Sequence, residues 1–156
     1  MIRYIKVAVL ILIVFFLGSE IQIPKISSAS FDTVLKESLE NVDVSQMQEM
    51  SNQNIRRFLN MNPDEYEAVR YYRHTDPMQA DEVVIVQFKN VNQGEEFQEK
   101  IKRRIKDQKV VFEGYIDSEV QKLDVSILDV QSNYALYCVG DFSKKLDEQF
   151  IESLGI

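Results

Sequence analysis

Glu82-Val83-Val84-Ile85-Val86-Gln87-Phe88-Lys89 (EVVIVQFK) is the stretch on which the fold turns. Successive side chains of an extended chain point to opposite faces, so Val84, Val86 and Phe88 share one face and Val83 and Ile85 the other. A half-exposed strand alternates apolar with polar, whereas this one is apolar on both sides. Backward from it, Tyr66 to Arg73 is rich in Tyr and Val and reads as a second strand. His74-Thr75-Asp76-Pro77 breaks the run, so the two strands form an antiparallel hairpin. Forward, Asn92 opens a helix whose buried stripe is Phe97, Ile101 and Ile105. Asn92 with Glu95 resembles a capping box. Early glutamates and late Lys102, Arg103, Arg104 and Lys106 suit the helix dipole, with Glu96–Lys100 and Glu99–Arg103 spaced for ion pairing. A polar stretch after Gly114-Tyr115 has room for one helical turn. Val125–Val130 and Tyr134–Gly140 read as two more strands joined at Ser132-Asn133. Ser143 to Leu154 reads as a closing helix, stopped by Gly155.

Upstream, Phe31, Val34, Leu35, Leu39 and Val42 recur at helical spacing. Met47, Met50, Ile55, Phe58 and Leu59 suggest further helical turns before Pro63. The expectation is therefore an α+β fold: a four-stranded antiparallel sheet from two hairpins, each followed by a helix, with N-terminal helices, in a two-layer sandwich. Residues 1–29 stand apart. Arg3 and Lys6 precede the uncharged apolar run Val7 to Gly18, the pattern of a signal peptide or N-terminal membrane anchor. Ser27-Ser28-Ala29 offers small residues for cleavage after Ala29. Either outcome puts residues 30–156 outside the cytoplasmic membrane, because the positive flank stays in. The chain carries −7; residues 1–29 hold Arg3, Lys6 and Lys25 against Glu20, leaving −9 on the rest. Such a domain is a poor general binder of nucleic acid or anionic lipid, so the membrane is a partner through the N-terminal segment only. Cys138 is the single cysteine, so no internal disulfide staples the domain.

Tyr66-Glu67, Tyr71-Tyr72, Met78, Asp81-Glu82-Val83, Val86, Phe112-Glu113-Gly114-Tyr115 and Asn133-Tyr134 occur in an order that resembles domain-of-unknown-function family 4358, found mainly in low-GC Gram-positive bacteria. The resemblance spans about residues 31–154. It implies an α+β fold in the cell envelope and no particular activity. Many members look like lipoproteins with a cysteine after the apolar run, which this chain lacks. Members usually carry Gly where Ser132 stands.

Few residues suggest chemistry. His74 lies near Asp76, Asp81 and Glu82, but dedicated metal sites show several ligands at fixed spacing. Cys138 and His74 are the one pair able to form a thiol couple. Cys138, however, sits among Leu136 and Val139 in a strand, whereas reactive thiols prefer electropositive, open settings. A serine hydrolase would need His74 as base, and no GxSxG is present. The run Lys100-Ile101-Lys102-Arg103-Arg104-Ile105-Lys106 becomes a solvated rim once Ile101 and Ile105 face inward. Asn90, Asn92 and Gly94 miss the spacing of a calcium loop. No cofactor is implied. The remaining feature is the tyrosines on strands: with helices on one face, Val83, Ile85, Tyr66, Tyr72 and Tyr137 would form a bare partner surface, and the other reading is that the N-terminal helices cover that face, since apolar surface tends to be buried. The expected function is a non-catalytic envelope module binding a protein or small ligand. The alternatives are an envelope hydrolase or metal-dependent enzyme, and an assembly protein dimerising with its own copy through the open sheet face.

Overall fold

A computed structural model describes residues 25–156; Arg3, Lys6 and the Val7–Gly18 run lie outside the described residues. Elements are numbered from the first described helix. They run α1 (Phe31–Ser38), β1 (Met47–Glu49), α2 (Asn52–Leu59), a short 3-10 turn (Pro63–Glu65), β2 (Ala68–His74), β3 (Glu82–Gln87), α3 (Gln93–Phe112), α4 (Asp117–Asp124), β4 (Ile127–Gln131), β5 (Tyr134–Val139) and α5 (Ser143–Ser153). Among the described residues no helix is long and apolar enough to cross a membrane.

The sheet has five strands, all antiparallel, in the order β1-β2-β3-β5-β4. Both hairpins occur as expected, and β3 joins them by pairing with β5, Val83 opposite Cys138 and Ile85 opposite Leu136. The fifth strand replaces the helical turns expected around Met47. Three residues carry no readable period, and β1 exists because Met47 and Glu49 pair with His74 and Tyr72 at the sheet edge. The Asn92 capping box does not form: Asn92 makes no side-chain cap bond. Instead its N–H donates to Asn90 Oδ1 at 3.0 Å, and Asn90 N–H donates to Gln93 Oε1 at 3.0 Å. Lys100 pairs with Glu96 at 2.7 Å as spaced, but Glu99 takes Lys102 at 2.9 Å rather than Arg103.

The sheet is covered on both faces, so the two-layer expectation is corrected to three layers. On one face Tyr71, Val84, Val86, Ala135 and Tyr137 pack against Ile55 and Leu59 of α2, Phe97 and Ile101 of α3, and Leu123 of α4. On the other, Val83, Ile85, Tyr134, Leu136 and Cys138 pack against Phe31 and Val34 of α1 and Leu146 and Phe150 of α5. Helices from opposite ends of the chain thus close the second face together. Gln149 Nε2 and Lys145 Nζ donate to the Glu40 and Asn41 carbonyls at 2.7 and 2.6 Å, latching α5 to the end of α1. This explains the doubly apolar β3: each face has its own helical layer, and burial of apolar area is the dominant favourable term in folding.

One charged cluster is built into the first face. Glu82, 1% exposed, accepts from Arg104, from Gln108 and from Arg73 Nε at 3.2 Å. The guanidiniums of Arg57, Arg73 and Arg104 all lie over Phe58, at 5.3, 4.6 and 5.6 Å from the ring centre. Burial works against the Arg104 charge, but the Glu82 bonds and charge outweigh it and raise its pKa. Arg104 therefore leaves the solvated rim that the basic run suggests.

Candidate functional site

The expected partner surface does not exist as one face. Val83 and Ile85 are fully buried beneath α1 and α5. Tyr137 points to the opposite face and Tyr66 packs beside Phe88 in that other core, while Tyr72 is half-buried on the Val83 side. The physical reason is the second helical layer, and the open face proposed for self-association goes with it.

Nor are the chemical candidates brought together. Cys138 lies on β5 and His74 on β2 with β3 between them, a separation of roughly two strand spacings, about 10 Å. Cys138 donates to the Ser143 carbonyl at 3.7 Å, and burial pushes its thiol up to about 12. His74 Nδ1 accepts the Asp76 N–H at 3.0 Å. Asp76 also caps Met78 N–H at 2.9 Å, while Glu82 faces the arginines. Among the described residues no group of three His, Cys, Asp or Glu could hold a metal.

What the fold does assemble is a polar groove of about 250 Å³ at the end of the sheet where β2 and β5 finish and β3 begins. Asp43 and Gln46 come from the approach to β1, Met47 from its first position, His74 from β2, Gln79 and Asp81 from the β2–β3 loop, Lys122 from α4, and Asp141 and Phe142 from the turn into α5. Lys122 Nζ donates to Gln79 Oε1 and Asp81 Oδ2, both at 3.1 Å, and lies 3.3 Å from Glu119 Oε1. Partial burial disfavours its ammonium, but the bonds and charges of Asp81 and Glu119 outweigh this and raise its pKa. Glu119, 4% exposed, also accepts the Ala80 N–H at 2.8 Å and so pins the loop that carries Gln79 and Asp81. Gly140 makes the close approach feasible. Its φ is +142°, and a Cβ there would fall 2.6 Å from Asp81 Oδ1 and from the Phe142 ring. With Lys122 already paired, Asp43 and Asp141 leave the groove acidic and fitted to a positively charged group. Sequence reading touched His74 and Asp81 but missed the rest, whose only signal is that distant segments meet.

Cys138, Tyr66 and Tyr134 share a consequence. Burial raises all three to about 12, with the Glu96 and Glu65 charges adding to it at Tyr66. Each is neutral when protonated, and the unfolded chain ionises near 8.5 for Cys and 10 for Tyr. Stability is thus full below pH ~8, falls first through Cys138 and then through the tyrosines, and continues to fall as pH rises toward ~12. Urea midpoints measured across that range should decline steadily, and a bulky maleimide should leave Cys138 unmodified at pH 8. A flat profile, or labelling at the rate of a free thiol, would refute the closed setting.

The family model for Domain of unknown function (DUF4358) matches residues 40–140, from the end of the first helix to the groove-side end of β5. No curated protein and no solved structure matches the chain.

Proposed function

The chain belongs to the Domain of unknown function (DUF4358) family, and we propose that it is a non-catalytic binding module of the bacterial cell envelope that holds a small amine-bearing ligand in the acidic groove. Arg3 and Lys6 before the apolar run Val7–Gly18 support a location on the outer side of the cytoplasmic membrane. The single observation that carries the binding role is the groove itself. Its lining comes from separate segments, and its lysine is already neutralised, so Asp141 and the charge of Asp43, whose Oδ1 also accepts the Ser45 N–H at 3.0 Å, are left to a ligand. Binding sites combine shape with a small number of placed polar groups, and this groove has both on a scaffold fixed by Glu119.

The test is a calorimetric titration of the chain with spermidine as the cationic probe. Saturable binding is expected, weakened by roughly two- to fivefold in each of Asp43→Asn and Asp141→Asn, the effect of losing a partly screened charge pair. Equal binding by wild type and both variants would refute the groove as the site.

A further inference from the structure

Ser27, although it lies in the stretch that reads as a cleavage site, is part of the folded domain. It is 4% exposed. Its N–H donates to Asn133 Oδ1 at 2.9 Å, and its carbonyl accepts from Asn133 Nδ2 at 3.1 Å. Its hydroxyl donates to the Leu154 carbonyl at 2.6 Å. Two residues on, the Ala29 carbonyl accepts the Tyr134 hydroxyl at 2.8 Å, and Ser30 caps α1 through Thr33 N–H at 3.2 Å. The residues at the first and third positions before the expected cut are therefore clamped by the β4–β5 turn and the end of α5, and the Ala29 carbonyl belongs to the bond that would be cut.

We infer that the bond after Ala29 stays intact and that the apolar N-terminal run tethers the domain to the lipid surface by the clamp end, with the acidic groove turned away. The inference rests on the envelope location proposed above. Asn133 precedes the first residue of β5, and Gly140-Asp141 follows its last, so clamp and groove occupy opposite ends of the sheet. Six residues of β5 separate them, roughly 20 Å. Ile26, Ile151 and Ile156, at 66, 43 and 43% exposed, lie within three residues of the bonded pair Ser27 and Leu154. They give that end an apolar rim next to Lys25, from which residues 19–24 lead back to the apolar run. Anionic headgroups repel the groove carboxylates, which favours the same orientation.

The full chain is expressed in a Gram-positive host and the intact mass of the recovered protein is measured. A membrane-bound chain that keeps residues 27–29 is expected. A folded product starting at Ser30 would overturn the tether while leaving the envelope reading in place, and recovery from the cytosol would overturn both. Orientation is read on the full chain in phosphatidylglycerol vesicles with brominated acyl chains, using a bimane label on Asn90→Cys near the clamp or Met78→Cys near the groove. Quenching of the first label and not of the second is expected; equal or reversed quenching contradicts the inference. In Asn133→Ala/Tyr134→Phe, which removes the Asn133 and Tyr134 side-chain bonds of the clamp and leaves only Ser27 to Leu154, the difference between the two labels should shrink. A difference unchanged from the parent would contradict the clamp's part in it.

Discussion

Replacing Glu82 with alanine is expected to destabilise the domain by about 3–5 kcal/mol, the usual loss when one member of a buried ion pair is removed. Glu82 is 1% exposed and answers Arg104, Arg73 and Gln108. Without it Arg104, whose side chain is 11% exposed, keeps its charge against Tyr71 and Tyr137 with no carboxylate to meet it. Burial, the largest cause of both raised tyrosine pKa values, remains after the substitution and holds both hydroxyls protonated, so neither can supply the missing negative charge. The loss should be strongly non-additive. Glu82→Met with Arg104→Met removes the two most buried charges and fills their space with apolar atoms, leaving Arg73, at 22% exposed, able to reach water, and such replacements are often neutral or better. Urea denaturation of the single and double variants measures this directly. A single-variant loss below about 1 kcal/mol would show that the pair is solvated.

Val83→Lys should abolish the folded state. Val83 is fully buried on a central strand, between Tyr72 and Cys138 in register and under α1 and α5. The substitution gives up the burial of a valine, about 1.5–3 kcal/mol. It also forces an ammonium with no partner into that layer, at several kcal/mol more. The sum is comparable to the whole stability of a small domain, about 5–15 kcal/mol. Tyr115→Lys serves as the control, because Tyr115 is 76% exposed and such surface changes stay within about 0.5 kcal/mol. Thermal melts should show no transition for Val83→Lys and an unshifted one for Tyr115→Lys. A folded Val83→Lys would restore the bare sheet face.

These two positions also mark where sequence reading succeeds and where it stops. The strands of the two hairpins and the long helices are legible because they rest on local periodicity: β3, its hairpin partner β2, and the Phe97–Ile101 stripe of α3 all lie where the pattern puts them, whereas β1 does not. The doubly apolar β3 is legible as well, but the choice between its two readings is not. Whether the second face is bare or covered depends on where α1 and α5 dock, and that is settled by contacts such as Gln149 to Glu40, more than a hundred residues apart. Arg104 reads as one more cation on a basic helix face, since its partner lies on β3 and not on its own helix. The groove is the extreme case: Asp43, Asp81, Lys122 and Asp141 are unremarkable singly and become a site only when the β2–β3 loop, α4 and the turn into α5 meet. Ser132 takes the left-handed backbone, φ 56°, that the resemblance associates with Gly, so the turn survives the departure at some conformational cost.

The most direct test of the central claim, that the polar groove is where this module binds, is two-dimensional NMR of the amide groups during a spermidine titration. Saturable shifts are predicted at Asp43, Gln46, His74, Gln79, Asp81, Lys122 and Asp141, with the exposed apolar residues Val110, Val111, Tyr115 and Val125 unmoved. Shifts confined to those apolar residues, or none that saturate, would contradict it.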